Sequence, residues 1–292
     1  MPRTFPFVST DSTELRGWHN DGDGVPLIIS NGLGTIPQAW PALTGAASGY
    51  RAATWYHRGT FGSHRPDDRT RIRVEDHAGD LIALMDSLEI ERSLVACWSI
   101  GVNVAFEAAV RHPDRVAGIM AVAGVPGGTF ATMGAPLRIP RSLRKPIAVR
   151  VAKTARVAGP VLTFLAHRVP INARGAWLLT HSGFMRPSAK SSLLVPMLTD
   201  FMKNDWSWYF ELAVAASEHP PMDLARVTCP VTLVAGRFDV LTSMQDITAA
   251  AAKMPHAQVT VLPGSHFLPL EYPELLHAAL GELARRTDLQ PR

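Results

Sequence analysis

The chain has 292 residues, of which 47% are apolar and 18% charged, with a formal net charge of +4. That length means one large domain or two small ones, and the composition excludes a disordered chain. No apolar run reaches the ~18 residues of a membrane span, and two cysteines, Cys97 and Cys229, exclude a disulfide framework or a four-cysteine metal site. Residues 1–10 lack the charged-then-apolar pattern of a signal peptide, so a cytoplasmic location is expected.

The first half alternates short apolar runs with helical patterns. Leu27–Ser30 reads as a buried strand entering the Gly-rich loop Asn31-Gly32-Leu33-Gly34. Ala52–Trp55 is a second strand, closed by Arg58-Gly59. Val74–Leu88 is helical, with Ala78, Leu81, Ile82, Met85 and Leu88 on one side. Ser93–Cys97 is a third strand. The helix after it, Val102–Arg111, stops before Pro113. Val116–Ala123 is a fourth strand. This alternation predicts an α/β protein with a mainly parallel sheet.

Between about Val125 and Asp223 no strand is evident, only helical pieces punctuated by Pro and Gly. One is expected to begin with Pro146 in its first turn and to run to Ala158. In it Ile147, Val151, Ala155 and Ala158 share a side, opposite Arg150, Lys153 and Arg156. Another carries Trp206, Trp208, Tyr209 and Phe210. Strands resume at Val231–Ala235 and Gln258–Leu262, and a last helix spans Pro273–Arg285. The expected organisation is a core of residues 1–124 and 223–292 with a helical cap, 125–222, inserted into it.

The charge is unevenly placed. Arg115–Thr199 holds twelve Lys or Arg and no Asp or Glu, which leaves the remaining residues at a net −8. Such a split marks a separate module or a surface that meets anions. No nucleic-acid recognition motif accompanies it, so nucleic acid is not the expected partner.

Ser99 follows one strand directly and precedes a helix, in Cys97-Trp98-Ser99-Ile100-Gly101. A sharp strand-to-helix turn exposes its side chain and needs small residues at both flanks, here Cys97 and Gly101. A hydroxyl becomes a useful nucleophile only when a base takes its proton. His266, in the loop Gly264-Ser265-His266-Phe267 after the last strand, is the candidate base. Asp239, just after the preceding strand, is the candidate acid that orients it, and Asp246 is the reserve. The order Ser, Asp, His is the one this turn uses. Two N–H groups would hold an oxyanion: Ile100, after the nucleophile, and Leu33 in the Gly-rich loop. Asn31, Trp98 and Phe267 are the candidate pocket residues.

These motifs, with His112-Pro113-Asp114-Arg115-Val116 and Glu271-Tyr272-Pro273-Glu274, resemble the α/β-hydrolase fold superfamily. The resemblance covers both sheet segments. It implies Ser99 as nucleophile, Asp239 as acid, His266 as base, Leu33 and Ile100 as oxyanion donors, and the insertion as a lid. The sequence departs from the usual pattern at Asn31, Cys97 and Tyr56, where that superfamily usually has His, Gly and Asp. A serine nucleophile argues against its dehalogenases and epoxide hydrolases.

The expected activity is hydrolysis, esterase- or lipase-like, of a carboxylic ester with a hydrophobic acyl part. The mechanism calls for no metal and no organic cofactor. Acyl transfer, C–C hydrolysis, perhydrolysis and a non-catalytic small-ligand receptor are the alternatives. The partners expected are a small-molecule or lipid ester and, through the basic cap, an anionic membrane surface.

Overall fold

The computed structural model describes residues 3–128, 130–134 and 139–289. Its strands are β1 (Arg3–Val8), β2 (Glu14–His19), β3 (Val25–Ser30), β4 (Tyr50–Trp55), β5 (Ser93–Trp98), β6 (Val116–Val122), β7 (Val231–Gly236) and β8 (Ala257–Leu262). They form one sheet in the order β1-β2-β4-β3-β5-β6-β7-β8. The pairs β1–β2 and β2–β4 are antiparallel, and every other pair is parallel.

The helices are α1 (Val74–Ser87), α2 (Gly101–Arg111), α3 (Arg141–Val157), α4 (Gly159–Ala166), α5 (Ala173–His181), α6 (Ser191–Phe201), α7 (Trp206–Ser217), α8 (Met244–Ala251), α9 (Leu268–Glu271) and α10 (Pro273–Arg285). Helices α3–α7 lie between β6 and β7 as an inserted helical region. This is an α/β-hydrolase fold.

The central strands are aliphatic on both faces because helices cover both. Along β5, Val95 and Cys97 join the layer packed by α1, α2 and α8, while Leu94, Ala96 and Trp98 join the layer packed by α10. On α10, Leu276, Leu280 and Leu283 recur at helical spacing and are fully buried. Each such side chain contributes about 1.5–3 kcal/mol. From β3 the chain moves first to β4 on one side, then returns to β5 on the other. The strand order reverses there, beside the carboxyl ends of β3 and β5, the position at which open α/β sheets hold their ligands. Residues Asn31–Gly34 and Ser99 stand at those two ends.

Three features differ from the sequence reading. The β1–β2 hairpin was not anticipated: its outward positions are polar and Pro6 interrupts the pattern, which an edge strand tolerates. Helix α3 begins at Arg141, so Pro146 lies inside it rather than in its first turn. A proline there costs about 3 kcal/mol. The extra turn is held by ion pairs from Arg141 and Arg144 to Asp246 and by an Arg144 Nε bond to the Ile139 carbonyl. Third, the side of α3 carrying Ile147 and Val151 faces outward, and Ala152 is the residue it buries. Arg138, one of the twelve basic residues, lies outside the described residues.

Candidate active site

Ser99 leaves β5 with φ +57°, in the left-handed region that a residue with a side chain enters at a cost of about 1–3 kcal/mol. Two backbone bonds hold it there. Ser99 N donates to Val122 O at 3.0 Å, and Val102 N donates to Ser99 O at 3.1 Å. The turn also needs glycines. A Cβ at Gly101 would lie 2.1 Å from Ser30 O, and one at Gly124 would lie 2.5 Å from Ser99 O. Gly101 therefore lets α2 start against the end of β3, and Gly124 makes room for the turn. Cys97 fits the first flank because its side chain is buried beneath the sheet, where Sγ donates to Met120 O. Burial, with Cys229 nearby, pushes its thiol well above the ordinary range. It is a core residue.

The structure brings Ser99, His266 and Asp239 into one hydrogen-bonded line. His266 Nε2 lies 2.9 Å from Ser99 Oγ, and His266 Nδ1 lies 2.9 Å from Asp239 Oδ2. A carboxylate only accepts, so Nδ1 carries the proton and Nε2 is left to accept from the serine hydroxyl. Asp239 is buried, and its other oxygen accepts from Leu241 N and Thr242 N, both at 2.8 Å. Thr242 in turn donates from Oγ1 to Ala123 O, tying this loop to the end of β6. Asp246 is engaged elsewhere, paired with Arg141 and Arg144 of α3.

The loop carrying His266 is braced from behind. Glu271 is buried and accepts from Ser265 N at 2.7 Å, from Ser265 Oγ at 2.6 Å and from Arg186 N of the inserted region at 2.7 Å. Trp98 Nε1 donates to His266 O at 2.8 Å. The Trp98 ring lies 5.9 Å from both the His266 and Phe267 rings, and Phe184 of the insertion packs edge-on against Phe267. Gly236 fits closely here, since a Cβ on it would sit 2.3 Å from Ser265 O.

The Gly-rich loop is held as firmly. Asn31 is buried; its Nδ2 donates to Thr54 Oγ1, and its Oδ1 accepts from Trp40 Nε1. The amide is thereby spent on bracing the end of β3. Leu33 packs against Trp208 and Leu212 of α7. Neither the Leu33 nor the Ile100 backbone N–H meets an acceptor among the described residues. From the insertion, Asn204 Nδ2 donates to Gly34 O at 3.0 Å and Trp208 Nε1 donates to Arg58 O at 2.7 Å. The Tyr209 ring covers Gly34, where a Cβ would lie 2.9 Å from it, and burial pushes its phenol up to about 12.

Asn204 and Thr242 were not singled out from sequence, and Glu271 entered only as part of a motif, with no role assigned. Each acts by bonding to loop backbone, and the residue type alone carries no sign of that. The structure also gathers Glu75, Glu107 and His219, whose ligand atoms lie within 4.8 Å of one another. His219 Nε2 is 3.2 Å from Glu107 Oε2, and Glu107 also pairs with Arg111. This contact clasps the segment after α7 to α2. Among the described residues no helix is long and apolar enough to cross a membrane.

Solved structures similar to this one include esterases and a lactonase. The chain is 25% identical over 263 residues to the protein named "Putative carbamate hydrolase RutD" of Caulobacter sp. (strain K31), spanning 88% of this chain and 90% of that one. Its structure is similar to an esterase from Thermogutta terrifontis, with a TM-score of 0.72 at 22% identity, covering 97% and 98% of the two chains. It is also similar to the enol-lactonase from Burkholderia xenovorans LB400, with a TM-score of 0.71 at 18% identity, covering 96% and 100%. The sequence model that matches it covers residues 27–279, which include the Gly-rich loop, Ser99, Asp239 and His266, and by that match the chain belongs to the Alpha/beta hydrolase family.

Proposed function

We propose that this hydrolase cleaves carboxylic esters with a hydrophobic acyl part through an acyl-enzyme on Ser99. The observation that carries the reading is the unbroken line from Ser99 Oγ through His266 to Asp239. In this reading His266 Nε2 takes the hydroxyl proton as Ser99 Oγ attacks the ester carbonyl. The same nitrogen then gives that proton to the departing alcohol. Asp239 holds the imidazole and stabilises its cationic form. The Leu33 and Ile100 N–H groups receive the oxyanion, each worth about 10²–10³ in rate. Water, activated by His266, then releases the acid.

Residues 1–124 and 223–292 are the catalytic core in this proposal, and 125–222 the cap. The rings of Trp98, Phe267 and Phe184 support an apolar acyl pocket beside Ser99. Asn31 has its role in the floor of that site, as the brace of the oxyanion loop. The reading also takes the basic cap to meet an anionic surface.

Fluorophosphonate labelling of wild type and Ser99→Ala tests it, alongside p-nitrophenyl esters of rising chain length. The expected result is labelling lost in the variant and a chain-length optimum beyond acetate. Equal labelling of both proteins, or ester turnover that survives Ser99→Ala, would refute it.

A further inference from the structure

We infer that the outer side of α3–α5 is a seat for an anionic lipid bilayer. On an ordinary surface helix the large apolar side chains turn inward and the polar ones outward. Three consecutive helices here depart from that pattern. Helix α3 buries Ala152, α4 buries Gly159 and Ala166, and α5 buries Ala176 and Thr180. Many of their large apolar residues stand in solvent instead, while Leu179 turns toward the core. Ile147 and Val151 share one side of α3, Val161 and Phe164 one side of α4, and Trp177 and Leu178 project from α5. Val161 and Leu178 are each 62% exposed, and Trp177 is 57% exposed. Exposure of that kind on successive helices marks a surface that meets another apolar phase.

Charge selects the occupant. Arg150, Lys153, Arg168 and Arg174 are exposed on the same helices or beside them, and no Asp or Glu occurs from Arg115 to Thr199. Arg168 lies over the Phe164 ring at 3.5 Å, so a cation and an aromatic ring are presented together. Three other basic residues of α3 are already paired, Arg141 and Arg144 with Asp246 and Arg156 with Glu211. The four exposed ones have no acidic partner among the described residues. Apolar and aromatic side chains beside such cations are what the interface of an anionic bilayer accepts. A second copy of the chain would bring like charges together instead. Taken with the hydrolase reading, on which this last step rests, the seat would supply an ester borne in the bilayer.

Sedimentation of the full chain with vesicles tests the seat. Binding to phosphatidylglycerol vesicles is expected, little to phosphatidylcholine, with a fall as salt rises. Replacing two exposed cations, Arg150→Gln with Lys153→Gln, should lower the partition coefficient about thirty-fold. Trp177→Ser with Leu178→Ser should lower it about ten-fold or more. These positions are exposed, so circular dichroism and the melting temperature should not change.

No binding to anionic vesicles at low salt would overturn the seat. So would binding indifferent to both double substitutions, or a dimer in sedimentation velocity that these substitutions dissociate. Turnover of a soluble butyrate ester reads the hydrolase separately. Vesicle binding without turnover keeps the seat and sinks the hydrolase; turnover without vesicle binding does the reverse.

Discussion

Asp239→Asn removes one charge and almost no volume, and the local bonding dictates its consequence. Asp239 Oδ1 accepts from Leu241 N and Thr242 N, while Oδ2 faces His266 Nδ1. An asparagine has one accepting atom and one donating group. If its oxygen keeps the two backbone donors, its NH₂ faces His266 Nδ1. The opposite orientation would set the NH₂ against two backbone N–H groups and leave both without an acceptor, at about 1–3 kcal/mol each. The first orientation therefore wins. His266 must then accept at Nδ1, carry its proton on Nε2 and point that proton at Ser99 Oγ. No lone pair remains to take the serine proton.

The expected loss in kcat is about 10⁴, the size known for tautomer reversal in such a triad. That corresponds to about 5.5 kcal/mol in the barrier. Folding should change little, because both backbone bonds survive. Steady-state hydrolysis of p-nitrophenyl butyrate between about pH 6 and 9, with thermal melts, measures both quantities. Less than a ten-fold loss across that range would refute the assignment of Asp239 as the group that fixes the tautomer of His266.

Other parts of the site give further expectations. Glu271→Gln turns an NH₂ toward one of the three donors that Glu271 now accepts, so the melting temperature should fall by about 3–6 °C; an unchanged melt would show that the brace is not holding the His266 loop. Asn204→Ala frees the Gly34 carbonyl, and kcat should drop about ten-fold with a smaller effect on KM, through misplacement of the oxyanion loop; a change in KM alone would contradict it. His57 is buried, and desolvation, reinforced by His77 and opposed by Asp80, lowers its pKa from 6.5 to about 3. The unfolded chain takes up that proton below pH ~6.5 and the folded chain does not. Stability from this group is thus complete above that pH and falls by about 1.4 kcal/mol per unit as pH drops toward 3. Urea midpoints at several pH values should show the slope, and His57→Phe should flatten it. Finally, Cys97 should resist iodoacetamide at pH 8 in the folded protein and react in urea, because burial both hides the thiol and keeps it protonated.

The sheet core was legible because buried parallel strands are written as aliphatic runs that end in Gly-rich loops. Leu27–Ser30, Ser93–Cys97 and Val231–Ala235 each fall within a strand, and the loop after each carries a residue of the site. Once those ends are placed, the order Ser99, Asp239, His266 follows from chain position alone. The bracing residues were not legible, because their bonds cross large distances in sequence. Asn204 reaches Gly34 over 170 residues, and Arg186 reaches Glu271 over 85. Edge strands β1 and β2 escaped for a different reason: with one side in solvent they alternate weakly, and Pro6 looks like a break.

The insertion shows why periodicity alone does not tell which side of a helix is inside. The spacing of Ile147 and Val151 correctly groups them on one side of α3. Which side turns inward depends on the partner, and the partner here is α7, with Trp206, Trp208, Tyr209 and Phe210 at its start. Small residues on one helix let its axis approach another closely. At Gly159 a Cβ would lie 2.2 Å from Ser207 Oγ, so nothing larger than glycine fits that crossing. Ala152 meets the same need one helix earlier, and Arg156 completes the contact by pairing with Glu211. Leu33 rests on Trp208, and Tyr209 covers Gly34, which fixes the loop beside Ser99. The sides of α3 and α4 that approach α7 carry the small residues, and Ile147, Val151 and Phe164 face outward. Helix α7 therefore meets the loop of the candidate site with Trp208 and Tyr209 and meets α3 and α4 with Ser207 and Glu211.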